Sequence, residues 1–232
     1  MSRKQETNAI SERYARRRES GVQALYDPLR PSVYLTQQER ERVLIRRILQ
    51  PHLQPLAERK LLEIGCGNGS NLIQLLKLGF RPENLVANEL LPERMDEARK
   101  LLPAAVEMLP GDASLIDRPE AFDAVLLSTV FTSILDDDFQ EKLAATAWRM
   151  VKPGGGIIWY DFTYNNPANP DVRAVGLKRI GELFPKGRIE AHRVTLAPPV
   201  ARRVTAIHPM LYRVFNGFPF LRSHLLCWIA RP

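Results

Sequence analysis

The chain has 232 residues, 45% of them hydrophobic and 25% charged, with a formal net charge of +7. That suffices for one well-buried domain with appended elements, not for two full domains. No run of about 18 apolar residues suggests a membrane-spanning helix, the polar start Met1-Ser2-Arg3-Lys4-Gln5 lacks the apolar core of a leader, and two cysteines, Cys66 and Cys227, make no disulfide framework, so a reducing cytoplasm is the simplest compartment.

The charge is unevenly spread. Residues 1–60 carry 13 Lys and Arg against 7 Asp and Glu, residues 61–162 carry 9 against 16, and residues 163–232 carry 11 against 3. A mildly acidic middle is thus flanked by basic segments. These read either as solvated surface or as surfaces that meet an anionic partner. No nucleic-acid motif accompanies them, so nucleic acid is not the expected partner.

Residues 1–58 read as an N-terminal helical arm or cap. Within it, residues 8–22 hold Ile10, Tyr14 and Arg16-Arg17-Arg18, the pattern of a short polar helix. Residues 36–57 fit a helix with Thr36 as N-cap and Val43, Leu44, Ile45, Ile48 and Leu49 on its apolar face; Pro51 should end it. Residues 59–232 read as the main domain. From Lys60 onward strands and helices alternate: strands at 60–65, 84–88, 105–109, 122–128 and 157–161, and helices at 70–78, 92–102 and 137–150. This is the signature of parallel βαβ units with helices on both faces of the sheet. After Phe162 come a turn-rich loop, a helix over 175–183, a strand over 188–196, a helical insertion over about 198–222, and a last strand over 225–230. Asp136-Asp137-Asp138 opens a helix and reads as a cap, not a metal site. His52, His192, His208 and His224 lack metal-ligand spacing, so no metal is expected.

The most informative stretch is Leu61-Leu62-Glu63-Ile64-Gly65-Cys66-Gly67-Asn68-Gly69-Ser70. An apolar strand ends in an acid, three glycines alternate, and a helix begins. This layout places a nucleotide-type cofactor at the carboxyl end of a strand. In the NAD fingerprint the third glycine falls three residues after the second, a position held here by Ser70. Glu63, two residues ahead of the turn, can bind the cationic amino end of a ligand. Both features favour S-adenosylmethionine over NAD. Glu89, at the end of the next strand, can accept hydrogen bonds from ribose hydroxyls. Asp112, in Gly111-Asp112-Ala113 after the third strand, can accept one from an adenine amino group.

With Phe122-Asp123-Ala124-Val125 and Val151-Lys152-Pro153-Gly154-Gly155, these motifs resemble the class I S-adenosylmethionine-dependent methyltransferases, in particular their bacterial type 11 and type 25 members. The resemblance spans roughly residues 40–162. It implies an α/β fold: a Rossmann-like, doubly wound, seven-stranded sheet with the last strand antiparallel, in a three-layer αβα sandwich. It also implies site roles. Glu63, Gly65, Cys66, Gly67 and Asn68 would surround the methionine part of the donor, and Glu89 would hold the ribose. Leu90, Asp112 and Ala113 would frame the adenine. Ser128 would lie beside the sulfonium, with Tyr14 closing over the donor. The second acid is more often Asp in this family, so Glu89 alters the reach. The flanks (Arg13-Tyr14-Ala15-Arg16-Arg17, Trp159-Tyr160-Asp161-Phe162, Thr195-Leu196-Ala197-Pro198-Pro199) look like bacterial methyltransferase-like proteins associated with glycan or secondary-metabolite pathways.

On the acceptor side, Asp161 at the end of the fifth strand is the candidate base or substrate anchor, with a loop cap as the plain alternative. Tyr164, Asn165, Asn166 and Arg173 are candidate pocket residues, and Arg202 and Arg203 on the insertion are candidate anchors for a phosphate or carboxylate. The expected reaction is methyl transfer to oxygen or nitrogen of a small-molecule or glycan-type acceptor carrying an anionic group. An RNA or protein methyltransferase and a non-catalytic donor-binding protein remain open. Ser128-Thr129-Val130-Phe131 after the fourth strand disfavours methylation of a planar base amine.

Overall fold

The computed structural model describes residues 3–19, 25–165 and 169–232. The arm begins with α1 (Arg3–Glu19). Next, α2 (Pro31–Leu44) continues through a π-helical turn, Ile45–Leu49, into a last short piece, α3 (Gln50–His52). The helix therefore starts five residues before Thr36, on Pro31, whose fixed φ and missing N–H suit a first helical position. Thr36 is not a cap. It lies inside the helix with its Oγ1 3.1 Å from the Tyr212 hydroxyl. The stop at Pro51 is as expected, one residue later.

The main body alternates β1 (Leu61–Ile64), α4 (Ser70–Leu78), β2 (Leu85–Glu89), α5 (Pro92–Leu101), β3 (Glu107–Pro110), β4 (Phe122–Ser128), α6 (Asp137–Met150), β5 (Val151–Phe162), α7 (Leu177–Leu183), β6 (Arg188–Leu196), α8 (Pro198–Ile207), α9 (Met210–Asn216) and β7 (Arg222–Ala230). The seven strands form one sheet in the order β3-β2-β1-β4-β5-β7-β6. The four pairings that join the five strands from β3 to β5 are parallel, whereas β7 runs antiparallel to both β5 and β6. The expected seven-stranded sheet with an antiparallel last strand is the fold observed.

Both faces of the central strands are covered, so β1 is buried at every position and reads as an unbroken apolar run apart from Glu63. Successive residues of β5 serve opposite layers. Ile157 and Trp159 pack with Leu143, Ala147 and Ile180 of α6 and α7. Ile158 and Tyr160 pack with Leu44, Ile48, Leu72 and Leu75 of α2 and α4. A third cluster lies outside the sheet: Leu196, Ala201, Val204 and Tyr212 bind α8 and α9 together, with Leu35 of α2 packed against it. The insertion predicted over 198–222 is this helical cap. Asp136 caps α6 as expected, its Oδ1 accepting from the Phe139 N–H at 2.8 Å.

Candidate functional site

The carboxyl ends of the parallel strands converge on a cavity of about 280 Å³. The switch point lies between β1 and β4, from which the chain winds in opposite directions. That is where an open α/β sheet leaves a crevice. The turn after β1 is one wall. Gly65, Gly67 and Gly69 all take positive φ (69°, 59° and 83°), a region that only glycine enters cheaply. At Gly67 a Cβ would also come 2.6 Å from a guanidinium nitrogen of Arg94, and at Gly69 it would come 2.9 Å from Leu102. The third glycine is therefore what lets α5 and its following loop close onto α4.

Glu89 ends β2 and is 4% exposed. Its Oε2 accepts from the Gly67 N–H at 2.8 Å and its Oε1 from the Leu91 N–H at 3.0 Å. Asn88 beside it donates to the carbonyls of Leu109 and Gly111, which ties the turn after β3 to the same edge. There Asp112 caps a short 3-10 turn, its Oδ1 accepting from the Ser114 N–H at 2.8 Å. Three consecutive loops are thereby joined by side chains of β2 and its successor.

Glu63 is fully buried. Its Oε1 accepts from the Asn71 amide at 2.6 Å, while Oε2 has no hydrogen-bond partner. Burial pushes its carboxyl up to about 8, opposed by the Asn71 hydrogen bond and the Arg40 charge. Arg40 of α2 donates to the Asn71 side-chain oxygen at 2.8 Å, and both residues line the cavity. An acid with a spare lone pair and a guanidinium thus flank Asn71, a donor set that fits the ammonium and carboxylate of an amino-acid moiety. Cys66 lines the cavity, but burial pushes its thiol well above its ordinary value, which leaves it a packing group, not a nucleophile.

The arm supplies the roof. In α1, Arg13 donates to Glu6 at 2.7 Å and to the Ser133 carbonyl at 3.1 Å, and Glu6 accepts from the Leu135 N–H at 3.0 Å. This pins the helix onto the loop after β4. Tyr14 then lines the cavity, with Arg94 5.2 Å from its ring centre.

Residues 61–155 match the family model described as "Methyltransferase domain". Over those residues the chain carries a methyltransferase domain. Among curated proteins, it is 37% identical over 83 residues to a malonyl-[acyl-carrier protein] O-methyltransferase of Bacteroides fragilis, a match covering 36% of this chain and 17% of that protein. It is 39% identical over 70 residues to a tRNA U34 carboxymethyltransferase of Aliivibrio salmonicida, covering 26% and 22%. The matches thus span less than a quarter of either relative. Among solved structures, the 1,6-didemethyltoxoflavin-N1-methyltransferase of Burkholderia thailandensis, with bound 1,6-didemethyltoxoflavin and S-adenosylhomocysteine, superposes with a TM-score of 0.66 at 16% identity, covering 100% of this chain and 92% of that one. At that identity the likeness is one of fold.

Most of the residues predicted for the donor lie on this cavity: Tyr14, Gly65, Cys66, Gly67, Asn68, Glu89, Leu90, Asp112, Ala113 and Ser128 all line it. Glu63 sits one layer behind, presented through Asn71. The acceptor-side residues do not gather there. Asp161 is 1% exposed and lies off the cavity wall. Its carboxylate accepts from the Thr132 hydroxyl (2.7 Å), the Thr132 N–H (3.1 Å) and the Phe162 N–H (3.0 Å). Burial raises it to about 7. It anchors the turn after β4, as the loop-cap alternative has it. Tyr164 accepts from Arg193 and Asn165 accepts from the Ala174 N–H. Arg173 pairs with Asp137, and its N–H bonds the Thr132 carbonyl. Arg202 and Arg203 lie on α8, and Asn166 lies outside the described residues.

Among the polar wall residues that were not anticipated are Arg40, Asn71 and Arg94. Arg40 could have been found, since it precedes Leu44 and Ile48 by four and eight residues and so shares their inward face. Asn71 and Arg94 sit in the first turns of α4 and α5, where polar residues read as ordinary solvent-facing positions.

Proposed function

We propose that this chain moves a methyl group from S-adenosylmethionine to an oxygen or nitrogen of a small-molecule or glycan-type acceptor carrying an anionic group. The observation that supports the donor half most is the pairing around Asn71. Glu63 with its spare oxygen and Arg40 with its guanidinium answer the two charges of a methionine moiety, while Glu89 and Asp112 stand at the next two loops. In this reading Glu63, Asn71 and Arg40 hold the amino-acid end, Glu89 the ribose, and Leu90, Asp112 and Ala113 the adenine. The bound donor supplies an electrophilic methyl on a sulfonium, which already has a good leaving group.

What the chain adds is alignment and exclusion of water. Tyr14 and Arg94 cover the cavity from the arm side, and Ser128 and Val130 close it from β4. Asp161 acts by holding Thr132 and the loop that carries Val130 and Ser133, not by taking a proton. An acceptor hydroxyl needing a base would find it on its own anionic group or on the cap.

The acceptor class is supported by the basic flanks. The tRNA relative and the same positive charge favour a second reading, an RNA acceptor. Calorimetry with S-adenosylmethionine and with NAD tests the donor: binding of NAD alone would end the proposal. Labelled methyl transfer into fractionated lysate tests the acceptor, with label expected in small molecules or glycans; label confined to RNA would select the second reading. Arg173→Ala and Arg203→Ala should weaken acceptor affinity and its salt dependence, and unchanged values would remove the anionic group from the proposal.

A further inference from the structure

The donor site leaves the cap unexplained, and the cap has an unusual outer surface. Exposed large apolar side chains cluster on it: Ile207 (79% exposed), Met210, Val214, Phe218 and Phe220 (73%) all fall within residues 207–220. A folded surface tolerates single exposed apolar groups, but a contiguous set marks a contact. Their arrangement is regular. Met210, Arg213 and Val214 follow the i, i+3, i+4 spacing of one helical face, and all three are exposed. The opposite face of α9 carries Leu211, Tyr212 and Phe215, which pack into the cluster that holds the cap together. Phe218 and Phe220 extend the outward row as a ring pair with centres 5.7 Å apart. Core packing therefore accounts for the inward residues and not for the outward ones. On the neighbouring entry to α2, Leu29 and Tyr34 are exposed as well.

The charge on this surface says what covers it. Residues 191–232 contain six arginines and no aspartate or glutamate. Arg213 is exposed between Met210 and Val214, and exposed Arg203 lies four residues ahead of Ile207 on α8. Two copies meeting across a two-fold axis would set arginine against arginine with no acid to answer. The complement has to be anionic and apolar at once. A helix face of Met and Val with an interposed arginine, followed by two aromatic rings, matches an element lying in a lipid interface: apolar tips enter the acyl boundary while guanidinium groups reach phosphates. None of the described helices is long and apolar enough to cross a bilayer, so the contact would be peripheral.

We infer that the outer face of α8 and α9, through Met210, Arg213, Val214, Phe218 and Phe220, docks the protein on an anionic lipid surface. The attraction combines apolar insertion with binding of arginine to headgroup phosphates. It does not depend on methyl transfer, so it is tested without donor or acceptor. The full chain is sedimented with vesicles of phosphatidylcholine alone and of phosphatidylcholine with phosphatidylglycerol. Co-sedimentation is expected only with the anionic vesicles and should fall as salt is raised. Phe218→Ser with Phe220→Ser should lower the bound fraction about tenfold and Arg213→Glu about threefold, each with unchanged thermal stability and donor affinity. Absence of wild-type binding to anionic vesicles, or equal binding by the variants, would overturn the inference. So would a concentration-dependent dimer that the Phe218→Ser/Phe220→Ser variant abolishes, since a second copy would then be the occupant.

Discussion

The loops after β1, β2 and β3 and the cap of α8 and α9 use their polar residues in opposite ways. In the loops, carboxylates turn inward onto backbone: Glu89 onto Gly67 and Leu91, Asp112 onto Ser114. In the cap, arginines and apolar side chains alike face solvent. A site assembled from backbone N–H groups, positive-φ glycines and buried acids is formed before its ligand arrives, because each part is fixed by another part of the chain. A surface of exposed arginine and aromatic residues has no such internal partner, and its shape is completed by whatever it meets.

That contrast can be broken most sharply at Glu89. Glu89→Ala strands two backbone donors of the donor loops, each in a charge-assisted hydrogen bond of about 1.5–3 kcal/mol. Donor affinity should fall at least about 100-fold by calorimetry; a loss under about threefold would mean that the loops hold their shape without it. Next in size is the proton linkage of Glu63. Burial lifts its folded-state carboxyl from 4.5 to about 8, so the folded chain holds a proton that the unfolded chain has released. Without donor, stability should therefore fall as pH rises from about 4.5 to 8. Glu63→Gln should remove this slope, leaving the variant about 10 °C more resistant than the wild type at pH 8 and alike at pH 4.5. Asp161, also raised by burial, acts in the same direction in both proteins and drops out of the difference. Parallel melting curves across that range would show that Glu63 is ionised in the fold.

Asp112→Ala should weaken donor binding about tenfold, the loss of one hydrogen bond to a charged group, with an unchanged far-ultraviolet dichroism spectrum. Normal affinity would refute the adenine assignment. The smallest effect belongs to the cap. Tyr212→Phe removes the 3.1 Å contact with Thr36, costing about 1 kcal/mol and about 2–4 °C in Tm. Donor affinity should not change; if it falls, the cap and the donor loops are coupled.

The same contrast governs what was legible in the chain alone. All seven strands and the donor loops could be read because period, glycine spacing and strand-end acids are local signals, and β6 fell on its predicted bounds, Arg188–Leu196. Thr36 misled because a polar residue before an apolar run resembles a cap, whereas Pro31 is a start signal of comparable strength. The π turn at Ile45–Leu49 leaves no mark in composition. Asp161 was placed on the right strand end, but the choice between substrate anchor and loop cap was not legible, since its contact with Thr132 joins residues 29 apart in the chain. The exposed row on α9 was invisible for a simpler reason: apolar residues all round a short helix look like core until the packing shows which side is occupied.

Glu89 has a further consequence. Because one carboxylate grips the turns after both β1 and β2, the two ends of the donor cavity are not independent guest rooms. In the proposed binding mode, a ribose that draws on Glu89 would alter the hold on Gly67, and so the seat of the methionine end. Fragments of the donor should therefore bind non-additively. The affinity for methionine should differ with and without saturating adenosine by a coupling free energy of about 1 kcal/mol, and identical titrations would show that the two turns respond separately.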